Sequence, residues 1–166
     1  MNRRIVVVAS LLAILVLVLV VVYVILSSPA STLLSVEPQT IHGTMGEDVT
    51  VNVSISNVAD LYGFEFKLGW NASLLDSVSV GEGPFLKSGG SNTFFTYYLN
   101  TTDEHLVVDC TLRGQVPGVS GNGTLASFQF LVIQSGTCDL NLYETQLLDS
   151  NGTAISHTVH VGHFSA

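Results

Sequence analysis

Two rhythms of apolar and polar residues divide this chain. Residues 5–26 form an unbroken apolar run without a charge, in which only Ser10 and Tyr23 carry polar side-chain atoms. After residue 32 the rhythm becomes alternation. Over 48–56, Val49, Val51, Val53 and Ile55 share one face while Thr50, Asn52 and Ser54 share the other. Residues 62–70 set Phe64, Phe66, Leu68 and Trp70 against Gly63, Glu65, Lys67 and Gly69. Residues 105–113 put Leu106, Val108, Cys110 and Leu112 inward and Val107, Asp109 and Thr111 outward. The segments 124–134, with Phe128, Phe130 and Val132, and 139–143, with Leu140 and Leu142, continue it. Successive side chains of a strand point to opposite sides, so a period of two marks strands with one buried and one wet face. Glycine-rich turns lie between them: GTMG at 43–46, GEGP at 81–84, GVSGNG at 118–123 and DSNG at 149–152. No stretch of this part sustains a helical period. Short strands at roughly ten-residue spacing predict an all-β, two-sheet sandwich of jelly-roll type.

The first run is long enough for a membrane. Its 22 residues, at about 1.5 Å each, match a hydrocarbon core of about 30 Å. Its many valines suit lipid, where backbone hydrogen bonds can be made only within the helix. Arg3 and Arg4 precede the run and the next cation is Lys67, so the positive-inside rule places the N-terminus in the cytoplasm. The expected order is a cytoplasmic stub at 1–4, a transmembrane helix at 5–26, a tether at 27–32 and an extracellular body at 33–164. The competing reading is a cleaved signal, with Ser28 and Ala30 as the small residues before the cut. Five Asn-x-Ser/Thr sequons, at Asn52, Asn71, Asn100, Asn122 and Asn151, agree with export and predict glycosylated surface positions.

Charge narrows the function. The body holds three Lys or Arg residues (Lys67, Lys87 and Arg113) against all 13 Asp and Glu residues of the chain. Phosphate backbones would repel such a surface, which excludes nucleic acid as a partner. A hydrophobic content of 47% against 11% charged residues also excludes a disordered chain.

Motif order then carries a resemblance. VEP at 36–38 opens a first strand and GEDV at 46–49 leads into a second. NVADLYG at 57–63 runs into FEFKL at 64–68, and WNASLLD follows at 70–76. GNGTLA at 121–126 precedes FQF at 128–130, while LLDSNG at 147–152 and VHV at 159–161 close the series. Taken in order, these segments resemble a cohesin domain over roughly 33–164. The resemblance implies a nine-stranded jelly roll that is non-catalytic and binds dockerin-type protein partners, in assemblies that break down polysaccharide. It also implies a binding face on the strands near 62–70, 93–100, 105–113 and 138–144. The side chains pointing outward there are Glu65, Lys67, Val107, Asp109, Thr111, Asp139, Asn141 and Tyr143. Cys110 and Cys138 lie outside the membrane, where a disulfide is permitted. The family topology sets a strand between them, which implies two separate thiols.

Other chemistry is weakly signalled. His157, His160 and His163 are three apart, so on a strand they alternate faces and read as surface histidines rather than a metal site. Ser120 lacks the spacing of a nucleophile elbow, and the turn at Asp149 lacks the ligand set of an EF-hand. No catalytic residue, metal or cofactor is expected. Two further functions stay open. Phe94, Phe95, Tyr97 and Tyr98 lie on one strand, and exposed Tyr97 and Tyr98 would suit a carbohydrate-binding module that stacks on a polysaccharide. The loop at 83–86 would instead cover that sheet and bury both pairs. The other reading is a structural subunit of an envelope layer.

Overall fold

The computed structural model describes residues 14–20, 31–100 and 105–166. The chain divides into two compact units, Met1–Ala30 and Ser31–Ala166. In the first unit, residues 14–20 are helical; the rest of the expected span at 5–26, and the alternative cut near Ser28 and Ala30, lie outside the described residues. Among the described residues no helix is long and apolar enough to cross a membrane. Thr32, expected at the end of the tether, belongs to the first strand.

Among the described residues the second unit carries ten strands: β1 (Thr32–Glu37), β2 (Thr40–His42), β3 (Asp48–Gly69), β4 (Leu75–Glu82), β5 (Thr93–Asn100), β6 (His105–Leu112), β7 (Val119–Val132), β8 (Thr137–Asp149), β9 (His157–His160) and β10 (Gly162–Ser165). The all-β expectation holds and the count of nine is corrected to ten. Two effects change it. The runs at 48–56 and 62–70 merge into one strand, β3. Against that, Thr40–His42 pairs in parallel with β10, and the C-terminal run splits at Val161 into β9 beside β1 and β10 beside β8.

β3 belongs to both layers. Its first half lies between β1 and β7, giving the order β9-β1-β3-β7-β4. Its second half lies between β6 and β8, giving β5-β6-β3-β8-β10-β2. The crossing falls at Asn57 and Asp60, whose φ angles of 55° and 57° lie in the left-handed region that Asn and Asp tolerate best after glycine. Other strands pin the crossing. The Asn57 amide donates to Asn122 Oδ1 at 2.7 Å. The Asp60 amide donates to Ser120 Oγ at 2.9 Å, and its carboxylate accepts from the Gly118 amide at 2.8 Å and Ser150 Oγ at 2.6 Å. Gly118 allows this approach, since a Cβ there would stand 2.4 Å from the Asp60 carbonyl.

These hydrogen bonds, that from Ser150 foremost, hold the Asp60 carboxyl below its ordinary value of 3.8. A carboxyl depressed on folding stabilises the protein above its unfolded value, and that stability drains as pH falls through the folded one. Acid unfolding should therefore include an Asp60 contribution lost below about pH 4. Urea titrations at pH 7 and pH 3 should show a smaller pH difference in Asp60→Asn than in the parent; an unchanged difference would remove Asp60 from the account.

Between the layers lies an aromatic core. Val51, Val53, Ile55, Phe128 and Phe130 from one sheet meet Phe64, Phe66 and Leu68 from the other, all buried. Phe66 bridges the sheets: its ring stacks at 5.7 Å on Phe64 and meets Phe128 edge-on at 6.3 Å. Trp70 closes the cluster edge-on against Phe130 at 5.0 Å, its indole N–H donating to the Leu75 carbonyl at 2.8 Å. Phe85 and Leu86, from the loop expected to cover β5, instead enter this core.

Candidate protein-docking face

The outer face of the second layer is ordered by registers. Lys67 lies opposite Val107 of β6 and Tyr143 of β8, and Tyr98 of β5 lies opposite Val107. That makes one row, Tyr98–Val107–Lys67–Tyr143. The next row is Thr96–Asp109–Glu65–Gln146, and beyond it Phe94–Thr111–Gly63. On the other flank, Gly69 sits opposite His105 and Asn141. Seven of the eight residues expected on the face are half-buried or exposed. Val107 is not: it is 5% exposed. Its short branched side chain stands between the longer Tyr98 and Lys67 in register, and the expectation of a wet Val107 is corrected accordingly. Asp139 lies two residues beyond the last β3–β8 pair and is held by His163 Nδ1 at 2.6 Å.

A bulge shapes the centre. Between Glu65 and Lys67 the β8 register slips by one residue, and Glu144 takes φ 47° there. One extra residue re-aims the side chains of a strand. Glu144 Oε2 consequently reaches Lys67 Nζ at 2.5 Å, and this hydrogen bond raises the lysine above its usual value. Lys67 is mostly covered and Glu144 open to solvent (21% against 65% exposed side chains), so the pair itself contributes little to stability. Glu144 and Gln146 escape sequence reasoning because the bulge shifts β8 parity. His105 has the outward parity of the 105–113 alternation, yet it is buried, with its ring 5.7 Å from that of Tyr143, which strand periodicity does not reveal.

At one end the face deepens into a cleft of about 740 Å³ lined by Glu65, Asp109, Thr111, Val116, Gln146 and Leu148. Glu65 and Asp109 stand directly opposite each other on β3 and β6. Partial burial raises the Asp109 carboxyl above its ordinary value. The face therefore pairs a cation at its centre with carboxylates at one end and tyrosines on either side, and that arrangement favours hydrogen-bonded contact with a protein surface.

Elsewhere the expected residues fall apart. Tyr97 and Tyr98 are both exposed, yet as neighbours on β5 they pair with Val108 and Val107 and point to opposite sides. His157 hydrogen-bonds Thr145, His160 meets Gln39 and His163 meets Asp139, so the three are engaged separately. Among the sequon residues, Asn71, Asn122 and Asn151 are exposed. Asn52 is half-buried and accepts from Ser127 Oγ at 2.5 Å, and the side chain of Asn100 lies outside the described residues.

Cys110 and Cys138 are both free thiols, with β3 between β6 and the stretch of β8 that pairs with it. Burial first, and Glu82 next, push Cys110 up to about 12. Only a thiolate is a good nucleophile. At pH 8 iodoacetamide should therefore modify Cys138 alone in the folded protein and both cysteines in guanidinium, read by intact-mass spectrometry. A second adduct on the folded protein would contradict the burial of Cys110.

Comparison with known proteins places this architecture. The family model described as the cohesin domain matches residues 34–162. Among solved structures, a non-cellulosomal cohesin from the hyperthermophilic archaeon Archaeoglobus fulgidus aligns with TM-score 0.69 and 21% identity, over 82% of this chain and 91% of that one. The sixth cohesin of Acetivibrio cellulolyticus scaffoldin B, solved in complex with a Cel5 dockerin mutant, aligns with TM-score 0.68 and 20% identity, over 82% and 99%. A type II cohesin domain from the cellulosome of the same organism gives 0.70 and 17%, over 81% and 95%. No curated protein matches. The family match spans most of the sandwich, and the chain belongs to the cohesin domain family.

Proposed function

We propose that this chain is a non-catalytic docking module that holds a dockerin-type protein partner on the β5-β6-β3-β8 face. The observation that carries the reading is the central row, where the half-buried Lys67 lines up in register with Tyr143 on the adjoining strand and, across Val107, with Tyr98. A sheet face that presents tyrosines on both sides of its centre matches the chemistry of energetically dominant interface residues. The scaffoldin B relative was solved with a dockerin, which supports the same class of partner here. The apolar run at 5–26 is the proposed membrane anchor, with residues 1–4 cytoplasmic and the sandwich presented outside the cell.

The test is calorimetric titration of the full-length chain in detergent micelles with a calcium-loaded dockerin module. Saturable binding that weakens on charge reversal at Lys67 or Asp109 is the expected result. Binding indifferent to both changes would move the site off this face. Retention on insoluble polysaccharide, abolished by Tyr97→Ala or Tyr98→Ala, would replace a protein partner with a carbohydrate.

A further inference from the structure

Among the described residues, four strands end a sheet: β9 and β4 in one layer, β2 and β5 in the other. Three are blunted. β2 has three residues between Pro38 and Gly43, and β9 has four. β4 is interrupted by a register shift between Ser77 and Ser79 and carries Asp76 and Glu82. Short, bulged or charged edges resist the addition of another strand, and a long uncharged edge invites it. β5 is of the second kind. Its eight residues, TFFTYYLN, contain no charge, proline or glycine.

Large side chains are exposed on both sides of this edge. Phe94 and Tyr98 (48% and 59% exposed) stand on the outer side with the row of Lys67; Tyr97 and Leu99 (48% and 50%) stand on the opposite side. A helix seated on the outer face, or a sugar stacked there, would leave Tyr97 and Leu99 in water. A strand laid along the edge covers both sides at once and pairs with the backbone groups that β6 does not use.

We propose that this strand is β5 of a second copy of the chain, paired antiparallel about a two-fold axis through Thr96. Charge confines where two copies can pair. The chain carries a net charge of −8, so two copies repel over most of their surfaces, and β5 is a stretch without any charge where they can meet. Side chains select the register. With Thr96 facing Thr96 of the second copy, Phe94 faces Tyr98 and Phe95 faces Tyr97 on both halves. Aromatic and Thr–Thr pairs are favoured cross-strand neighbours. A register centred on Tyr97 would set Tyr98 against Thr96 and Phe95 against Leu99, giving up those pairs. The contact is self-complementary and closes at two copies. It joins the two second layers into one continuous sheet, with both outer faces on the same side and two docking faces side by side.

Register-specific cross-linking tests this with the full-length chain in detergent micelles, in a Cys138→Ser background. Directly opposed residues of antiparallel strands have Cα atoms about 4.5 or 5.5 Å apart, within the reach of a disulfide. Thr96→Cys should form an intermolecular disulfide under mild oxidation, whereas Thr93→Cys, which would face Leu99 of the second copy, should not. Adding Tyr97→Lys should slow the Thr96→Cys cross-link, and weaken the dimer seen by sedimentation, by about tenfold or more. Lys67→Glu, which probes the docking face, should leave dimerisation unchanged, so the two proposals fail separately. Cross-linking at Thr96→Cys no faster than at Thr93→Cys, or a sedimenting species that stays monomeric, would overturn the β5 dimer.

Discussion

Phe66→Ala should lower the unfolding free energy of the Ser31–Ala166 unit by about 3–5 kcal/mol, the usual loss for a large aromatic removed from a core. Phe66 is fully buried and its ring joins the two sheets, with Phe64 on its own strand and Phe128 across the gap. Neither neighbour can follow the missing ring. Phe64 is fixed opposite Cys110 and Leu147, and Phe128 opposite Val51 and Val80, so a cavity remains. Domains of this size are stable by about 5–15 kcal/mol, and the loss is a large share of that. Val78→Ala provides the contrast: its side chain is 55% exposed at the register shift of edge strand β4, and the expected loss is about 1 kcal/mol or less. Urea denaturation followed by tryptophan fluorescence reads both, since Trp70 packs on Phe130 in the same cluster. Equal midpoint shifts for the two variants would contradict the core described here.

Lys67→Glu should weaken binding of the proposed partner by at least about 100-fold, or about 3 kcal/mol. The substitution removes the cation at the centre of the face and sets a carboxylate in its place beside Glu144, with Glu65 and Asp109 in the next row. A partner that had presented carbonyls or a carboxylate to the ammonium group would then meet like charge with little solvent to screen it. The fold should tolerate the change, because the lysine's ion pair contributes little and its side chain is not part of the core. Lys87→Glu is the matched control. Lys87 also pairs with a glutamate, Glu82 at 2.6 Å, but stands in the loop after β4 and is 53% exposed, so its reversal should leave affinity within about twofold. Equal effects at the two lysines would show long-range charge, not the β3 row, to be what the partner senses.

Much of the face is legible in the linear sequence. Alternation alone puts Glu65 and Lys67 outward and Phe64, Phe66 and Leu68 inward, because the period of a strand is two and only one side of a sandwich sheet meets water. The same logic fails where the backbone leaves that period. Glu144 sits on a bulge, and a single added residue reverses which side the following side chains occupy. Val107 has outward parity but is buried by long neighbours on the adjoining strands, which strand periodicity does not reveal. Tyr97 and Tyr98 illustrate the converse. Both are exposed, yet their separation onto opposite sides follows from adjacency, and only the position of β5 at an edge explains why the inward-facing one reaches solvent.

The linear pattern of this chain by itself determined that an apolar run of membrane-spanning length precedes an acidic, all-β body, because hydrophobic length and period are local properties of consecutive residues. It also determined the order of motifs that marks a cohesin. Tertiary structure decided the rest: that two apparent strands are one, crossing between layers at Asn57 and Asp60, that Lys67 finds Glu144, and that β5 ends its sheet among the described residues. Each depends on which strands become neighbours. Neighbours are chosen by the packing of the whole core, in which residues far apart in sequence, such as Phe66 and Phe128, must meet before any register is set.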